Sequence, residues 1–298
     1  MMWTRRALLQ LAAAFAAGGA VERMRTRPIP RGGEQLPVIG MGTWRTFDVG
    51  EGDRAPLREV LRTLFDAGGR VIDSSPMYGR AEQVVGEMLG PSPPPFLATK
   101  VWTSGREQGI EQMRRSMRLM WPSGEARPFD LIQIHNLLDW RTHVPTLRAW
   151  KEAGTIRYWG ITHYSPSAFE EMEQILRSEK PDFVQLPYSV AVREAEHRLL
   201  PACAEAGAAV LVMRPFEGGS LFRDALHRPL PAWASEIDCT SWAQIFLKFI
   251  LGHPATTCPI PATSNPKHMA DDVRAGFGRL PDQAMRRRIV AELTGDSP

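Results

Sequence analysis

Four polar residues lie near the ends of apolar segments in the first half of the chain. Asp73, Lys100 and His135 each close a short apolar run of the strand type, and Tyr78 lies five residues after Asp73. In a barrel of parallel strands, the carboxyl ends of all the strands meet at one face, so side chains at those ends converge. We therefore expect Asp73, Tyr78, Lys100 and His135 to form one site.

The chemistry that these side chains can share is carbonyl reduction, which needs a hydride at carbon and a proton at oxygen. A tyrosine has an ordinary pKa of about 10, and a neighbouring ammonium group stabilises the phenolate and lowers this pKa. An aspartate keeps the lysine charged and oriented, while a histidine donates a hydrogen bond to the oxygen as negative charge develops. The set predicts an oxidoreductase with Tyr78 as proton donor.

Each residue also has a structural interpretation when it is taken alone. Asp73 could cap the next helix, and Lys100 could be only its salt-bridge partner. His135 could be a hydrogen-bonded core histidine, and Tyr78 could be a packing residue. Their common position at successive predicted strand ends favours the catalytic interpretation.

The elements that must position these residues alternate between strand and helix. Apolar runs predict strands over residues 38–43, 71–73, 96–100, 131–135, 158–162, 183–186, 209–213 and 257–261. Helical spacing predicts helices over residues 57–66, 81–89, 107–120, 146–153, 165–178, 194–206, 242–251, 267–275 and 282–293. Eight such units with short loops predict an α/β fold, a single-domain (β/α)8 TIM barrel over residues 26–298, with a hairpin over 28–37 on its floor. No G-x-G-x-x-G follows the first strand, which argues against the usual dinucleotide fold.

The first 25 residues predict a signal peptide that is separate from the barrel. Arg5 and Arg6 precede an apolar run over residues 7–20 that ends in small residues, the order found in twin-arginine export signals. The run is shorter than the roughly 20 residues that a membrane span needs. We expect a periplasmic or otherwise exported protein if this signal is real, and a cytoplasmic one if the segment is instead an amphipathic N-terminal helix.

Composition narrows the possible partners. The net charge of +3 comes from scattered Lys and Arg residues, which argues against nucleic acid. Cys203, Cys239 and Cys258 have neither metal-ligand spacing nor the even count of a disulfide framework. We expect no metal, no stable membrane span, a small-molecule carbonyl substrate, and a monomer rather than an oligomer.

The motifs around the four residues resemble those of the aldo-keto reductase family. The segment 71–79, VIDSSPMYG, is similar to the signature loop of that family, and Glu82 and Gly86 continue the pattern. Residues 97–102 resemble the lysine strand, residues 130–135 the histidine strand, and residues 154–160 the segment before the fifth strand. The resemblance runs from about residue 28 to about residue 280. It implies catalytic roles for Asp73, Tyr78, Lys100 and His135, with NADPH as cofactor and NADH as the alternative.

The resemblance also implies a set of cofactor-binding residues across the barrel mouth. These are Thr162, His163, Gln185, Met213, Gly218, Gly219, Leu221, Thr263, Ser264, His268, Asp271 and Asp272. Four positions depart from the family pattern: His163 replaces an asparagine, Met213 a tyrosine, Ala262 a lysine and His268 an arginine. The last two departures weaken the expected contact with the 2′-phosphate of NADPH.

At the substrate end, Trp44, Phe47 and Trp102, together with Met77, predict an open apolar pocket. Two other functions remain in view. A nucleotide-binding barrel could act as a sensor with little turnover, which the intact catalytic set argues against. A lyase could form a Schiff base with Lys100, but Tyr78 and the lack of a second lysine at a neighbouring strand end argue against it.

Overall fold

The computed structural model describes residues 23–90, 94–122, 127–225 and 227–294. Residues 1–22, which hold most of the predicted signal, lie outside this part. Eight parallel strands follow one another around a sheet in chain order. They are β3 (Met41–Gly42), β4 (Val71–Asp73), β5 (Phe96–Val101), β6 (Phe129–His135), β7 (Ile156–Thr162), β8 (Phe183–Pro187), β9 (Ala209–Met213) and β10 (Cys258–Pro259).

The sheet closes on itself through backbone hydrogen bonds between its first and last strands. The N–H of Gly40 donates to the carbonyl of Pro259 (3.1 Å), and that of Gly42 donates to the carbonyl of Pro261 (3.0 Å). With these bonds no strand edge remains open. The predicted (β/α)8 barrel is confirmed.

Helices surround the barrel in the part of the chain that the structure describes. They are α1 (Arg54–Asp66), α2 (Ala81–Met88), α3 (Arg106–Met120), α4 (Trp140–Glu152), α5 (Phe169–Glu179), α6 (Leu199–Ala206), α7 (Phe222–Ala225), α8 (Trp242–Leu251), α9 (Pro266–Arg274) and α10 (Gln283–Thr294). Helix α4 begins six residues before the predicted start, although it contains Pro145. Pro145 lies in the second turn of the helix and removes one backbone donor, the N–H that would otherwise pair with the carbonyl of Arg141.

One connection departs from the predicted short loops. Residues 214–241, between β9 and α8, contain the single turn α7 and the 3-10 turns Glu217–Gly219 and Ala232–Ile237. This segment carries few residues at a regular helical or strand spacing, so the sequence pattern did not reveal its turns.

Side-chain alternation along the strands divides the barrel interior into two levels. The lower level is an apolar cluster that includes Val71, Phe96, Leu131 and Phe183. Because side chains on one face of a strand recur every second residue, the same face carries Asp73 two residues after Val71, and the polar ends of the neighbouring strands follow in the same way. The core therefore changes from apolar at the floor to polar at the mouth.

A hairpin closes the floor, as predicted. Strand β1 (Thr26–Pro28) pairs antiparallel with β2 (Gln35–Pro37), and the buried Ile29 and Leu36 join the inner apolar cluster. The packing begins earlier than the predicted boundary at residue 26. Met24 is buried in the outer core, and the N–H of Arg25 donates to the carbonyl of Gly276 (2.9 Å), so both residues belong to the barrel.

Arg27 connects this hairpin to the C-terminal end of helix α8 and the residues after it through hydrogen bonds. Its guanidinium group donates to the carbonyl of His253 (2.9 Å), to Thr256 Oγ1 (2.9 Å), and to the carbonyls of Leu251 and Thr256. The carbonyl of Leu251 is one of those that a helix leaves unpaired at its C-terminus. A single charged side chain thus satisfies several acceptors that the fold would otherwise bury without partners.

We predict that Arg27→Ala lowers the free energy of unfolding by about 3 kcal/mol, because charged hydrogen bonds to partly buried carbonyls are lost. Urea unfolding followed by circular dichroism measures the change. Arg58→Ala is the matched control, since Arg58 is exposed on α1 and makes no hydrogen bond or ion pair among the described residues. Equal effects of the two substitutions would contradict the role of Arg27.

Candidate active site

A buried ion pair between Lys100 and Asp73 lies at the centre of the barrel mouth. Lys100 is 0% exposed, and its Nζ donates to Asp73 Oδ2 (2.6 Å) and to the carbonyl of Ser74 (2.7 Å). Burial pulls the pKa of Lys100 down, but the charges of Asp73 and Tyr78 and the hydrogen bond to Asp73 together raise it above its ordinary value. The lysine is therefore an ammonium ion throughout the neutral pH range.

Tyr78 reaches this pair from the loop after β4. Its N–H donates to the carbonyl of Ser75 (3.0 Å) in a tight turn, and the Lys100 Nζ lies 5.3 Å from its ring centroid. Gly79 follows with φ of 61°, and a Cβ there would come within 2.4 Å of the Asp48 carboxylate, so the turn requires glycine. The loop therefore fixes the tyrosine beside the lysine.

The pKa of Tyr78 moves in the direction opposite to the prediction. Burial raises it above its ordinary value, and the positive charge of Lys100 only partly opposes this effect. Desolvation of the phenolate thus outweighs its attraction to the ammonium group in this structure. The consequence for catalysis is that Tyr78 keeps its proton at neutral pH and is available as a donor.

His135 ends β6 on the other side of the tyrosine. The two rings meet edge to face, with centroids 6.0 Å apart, and His135 Nδ1 lies 3.0 Å from Ser75 Oγ. Burial, the charge of Lys100 and then that of His163 lower the pKa of His135 to about 3. The imidazole is therefore neutral, so it can polarise a carbonyl by hydrogen bonding but holds no surplus proton to transfer.

Two glutamines that hold Asp73 complete this arrangement. Gln133 Nε2 and Gln185 Nε2 donate to Asp73 Oδ1 at 3.0 and 2.9 Å, and Thr162 Oγ1 donates to Gln185 Oε1 (3.3 Å). Sequence reasoning missed Gln133 because it looked only at the last residue of each strand. The signal was available, since Gln133 lies two residues before His135 and so on the same inward face.

The two residues after His135 form a turn with left-handed backbone conformations, which the sequence pattern does not predict. Asn136 and Leu137 both have left-handed backbone conformations, with φ of 52° and 56°. Asn136 Oδ1 is buried and has no hydrogen-bond partner among the described residues. Such conformations in residues other than glycine are concentrated at functional sites.

The glycine loop after β9, which the sequence predicts to bind phosphate, is an open turn. Gly218 and Gly219 have φ of 65° and 94°, and a Cβ at either position would meet no heavy atom within 4 Å. The adjacent Glu217 Oε1 is buried without a hydrogen-bond partner in the described ranges. Backbone N–H groups in such an open turn can approach phosphate oxygens closely. Leu221, predicted with these glycines, is half-buried and packs against the outer core.

The start of helix α9 offers a second place for an anion. Asn265 caps the helix by accepting the N–H of Lys267 (3.0 Å), and Thr263 Oγ1 accepts the N–H of Asn265 (3.0 Å). Ser264 and His268 are exposed beside this terminus. The positive end of a helix dipole and exposed polar side chains together form a setting in which an anion can bind.

The remaining cofactor residues lie around the mouth in different settings. Met213 is half-buried against the inner cluster, and His163 Nδ1 accepts the N–H of Ser165 (3.0 Å). Asp271 Oδ1 accepts a hydrogen bond from Gln244, and Asp272 is buried, with its pKa raised by burial and by Asp271. Contacts of these residues with a cofactor stay predictions.

The substrate side of the mouth is apolar and open. Trp44, Met77 and Trp102 are 46%, 41% and 42% exposed, and Tyr164, which was not predicted, is 55% exposed. The structure corrects the prediction for Phe47, which is 0% exposed and packed in the outer core. Its aromatic ring contributes to packing and presents no surface to a substrate.

Other kinds of site are absent from the part of the chain that the structure describes. No group of three or more His, Cys, Asp or Glu residues is placed to hold a metal ion. Cys203, Cys239 and Cys258 are buried free thiols. None of the helices within the described ranges combines the length and the apolar character needed to cross a membrane.

Comparison with protein families agrees with this geometry. Residues 38–289 match the model of the aldo/keto reductase family. The chain belongs to the aldo/keto reductase family. The matched residues include Asp73, Tyr78, Lys100, His135 and the glycine loop.

Three relatives of this chain have 24% to 26% identical residues. An aldo-keto reductase of Bacillus subtilis, YhdN, is 26% identical over 189 residues, which cover 57% of this chain and 55% of that protein. An oxidoreductase of Schizosaccharomyces pombe is 25% identical over 288 residues, covering 91% and 92%. The versiconal hemiacetal acetate reductase of Aspergillus parasiticus is 24% identical over 236 residues, covering 67% and 66%.

Solved structures share the barrel. An aldo-keto reductase of Bacillus halodurans in its holo form has a TM-score of 0.73 and 22% identity, covering 92% of this chain and 98% of that one. An aldo-keto reductase of Klebsiella pneumoniae in complex with NADPH has a TM-score of 0.74 and 24% identity, covering 94% and 97%. At this level of identity, the likeness shows the fold.

The protonation states predict the pH profile of this aldo/keto reductase. Because the pKa of His135 is about 3 and that of Tyr78 is raised, neither group changes charge between about pH 6 and pH 9. The single-turnover rate of hydride transfer should be flat over that range and fall only as the pH rises through the pKa of Tyr78. A fall centred near pH 6.5, the ordinary pKa of histidine, would instead identify His135 as the proton donor.

Proposed function

We propose that this protein reduces an aldehyde or ketone with a nicotinamide cofactor, with Tyr78 as the proton donor. The observation that carries this proposal is the convergence of Tyr78, Lys100, Asp73 and His135 at one face of the barrel, with Lys100 fully buried between Asp73 and Tyr78. The proposal includes a monomeric protein that acts on a small-molecule carbonyl substrate.

The residues of this chain supply the proton that carbonyl reduction needs. When bound, the reduced nicotinamide supplies the hydride for the carbonyl carbon. Tyr78 transfers its proton to the carbonyl oxygen, while His135 donates a hydrogen bond to the same oxygen. The Lys100 ammonium, held by Asp73, stabilises the tyrosinate that remains until a proton returns from solvent.

We infer NADPH as the cofactor, with NADH as the alternative. Two structures of a Klebsiella pneumoniae aldo-keto reductase have NADP and NADPH bound, which supports the use of the phosphorylated form in this family. In this chain we expect the open glycine loop to hold the diphosphate, and the exposed Lys267 and His268 at the start of α9 to be the basic side chains that pair with a 2′-phosphate. Titration of each nucleotide by fluorescence measures the preference.

Tyr78→Phe should lower kcat for reduction by about 100- to 10,000-fold, the usual contribution of a general acid, while the affinity for the cofactor changes little. Cofactor oxidation with a panel of aldehydes, ketones and quinones gives kcat, and fluorescence titration gives Kd. Tyr158→Phe is the matched control, because the Tyr158 hydroxyl donates to Glu34 at the barrel floor (2.9 Å), far from the mouth.

The same experiment separates the competing functions. If neither nucleotide binds to the wild-type protein, the reductase proposal fails. If a nucleotide binds but no compound in the panel is turned over, the protein is a nucleotide-binding barrel of the sensing type. If Tyr78→Phe keeps wild-type turnover, another group supplies the proton.

We further propose that residues 1–25 direct export by the twin-arginine route. The support is the Arg5-Arg6 pair before an apolar run. Met24 is buried in the outer core, so a cleavage site before this residue, such as one near Ala20, keeps it in the mature barrel. This route carries folded proteins, so an exported reductase can leave the cytoplasm with its cofactor bound.

Replacing both Arg5 and Arg6 with lysine should retain the protein in the cytoplasm of the producing cell. Fractionation followed by immunoblotting measures the distribution between compartments. Arg23→Lys is the matched control, because Arg23 lies after the apolar run. An unchanged distribution of the double variant would show that the segment is not a twin-arginine signal.

A further inference from the structure

A serine beside the catalytic histidine has no role in the function described so far. Ser75 is fully buried, and its Oγ lies 3.0 Å from His135 Nδ1. The N–H of Met77 donates to the same oxygen (3.3 Å). These are the hydrogen bonds of the Ser75 side chain in the part of the chain that the structure describes.

The hydrogen between Ser75 Oγ and His135 Nδ1 can belong to either group, and the other hydrogen bonds of the serine distinguish the two arrangements. A serine hydroxyl has one hydrogen to donate and two lone pairs to accept with. If Nδ1 carried a hydrogen, Ser75 Oγ would accept from both Nδ1 and Met77, and its own hydrogen would have no acceptor among the described residues. If Nδ1 carries none, Ser75 donates to it, and both the Ser75 hydroxyl and His135 Nδ1 are satisfied. Buried polar groups in proteins are nearly always satisfied, which favours the second arrangement.

The surroundings of His135 keep its imidazole ring neutral. Lys100 is buried close by as an ammonium ion, and its charge, together with burial, disfavours the imidazolium form. A neutral ring has one hydrogen, on either Nδ1 or Nε2. The partner of one nitrogen therefore decides the role of the other.

We propose that Ser75 is a positioning residue that donates its hydroxyl hydrogen to His135 Nδ1 and thereby holds the ring in the Nε2–H tautomer. Only this tautomer presents a donor to a carbonyl oxygen at the mouth, since Nδ1 is turned to the serine. The opposite tautomer would offer a lone pair to an oxygen that becomes negative. This inference rests on the proposed reduction for its consequence, but the tautomer itself exists without substrate.

The tautomer is measured directly by nitrogen NMR on protein labelled with 15N-histidine, with the His135 signals assigned by their loss in His135→Asn. In the wild-type protein we expect Nδ1 to be unprotonated and Nε2 to carry the hydrogen at pH 7. A protonated Nδ1 in the wild-type protein would overturn the proposal without the need for any variant.

Ser75→Ala tests the consequence for catalysis. Removal of a partner that orients a metal-binding histidine typically costs about 10- to 100-fold in affinity or activity, and we expect the same range for His135. We expect a loss of this size in the single-turnover rate of hydride transfer, an unchanged Kd for the cofactor, and a shift of the His135 signals toward a mixture of tautomers. Ser75→Cys, which keeps a weak donor of similar size, should lie between the wild type and Ser75→Ala.

The control is Ser116→Ala, which removes another buried serine hydroxyl, one that donates to Glu82 Oε2 (2.9 Å) away from His135. It should leave the His135 signals and the rate unchanged. If Ser75→Ala keeps both the wild-type tautomer and the wild-type rate, Ser75 has no positioning role. If the tautomer shifts as expected but the wild-type protein reduces no carbonyl, the inference about Ser75 stands and the proposed reduction fails.

Discussion

The ion pair between Lys100 and Asp73 is the interaction on which the rest of the site depends. Transfer of a charge from water into a protein interior costs several kcal/mol, so an ammonium ion that is 0% exposed needs close and complete solvation by the chain. Asp73 Oδ2 and the carbonyl of Ser74 provide it for Lys100. The two amides of Gln133 and Gln185 provide it for the other oxygen of Asp73. Removal of any one of these groups leaves a buried charge less well satisfied.

The barrel makes such a cluster possible through strand register. Lys100 pairs with Gln133 across β5 and β6, His135 pairs with Thr162 across β6 and β7, and Thr162 pairs with Gln185 across β7 and β8. All five side chains belong to the inward face, at two adjacent levels that are set by Gln133 and His135 on the same strand. The apolar cluster and the floor hairpin lie beneath them, so water reaches the ion pair only from the mouth. The low polarity below the pair strengthens each of its interactions.

The sequence predicts the residues at the centre of this site better than it predicts the residues that hydrogen-bond to them. Asp73, Lys100 and His135 were found because a polar residue at the end of an apolar strand is a conspicuous break in pattern. Gln133 and Ser75 were not, because their importance depends on which atoms they reach across strands, and strand pattern does not contain those distances. Phe47 is the opposite case, because it was predicted to line the substrate pocket but is buried in the core. The sequence does not distinguish these two positions for an aromatic residue near the barrel mouth.

Prediction of the fold from the sequence also fails where structure depends on tertiary packing or has no regular period. Periodicity predicted the barrel and its hairpin, because long-range closure follows from eight repeated units of one kind. It missed the start of α4, where Pro145 masks a helix that tertiary packing stabilises, and it missed the turns of residues 214–241, which have no regular period. It also predicted a lowered pKa for Tyr78, because the sequence reveals the neighbouring charge but not the extent of burial.

One charge therefore acts on two neighbouring groups in opposite senses. The Lys100 ammonium favours the deprotonated form of Tyr78 and the neutral form of His135. Before the reaction, burial keeps the proton on Tyr78 in spite of that charge. Once the proton has moved to the substrate oxygen, the same charge stabilises the tyrosinate and prevents His135 from competing as a base. In the proposed reaction, a single buried cation thus gives the proton transfer its direction, with the tyrosine as acid and the histidine as a hydrogen-bond donor.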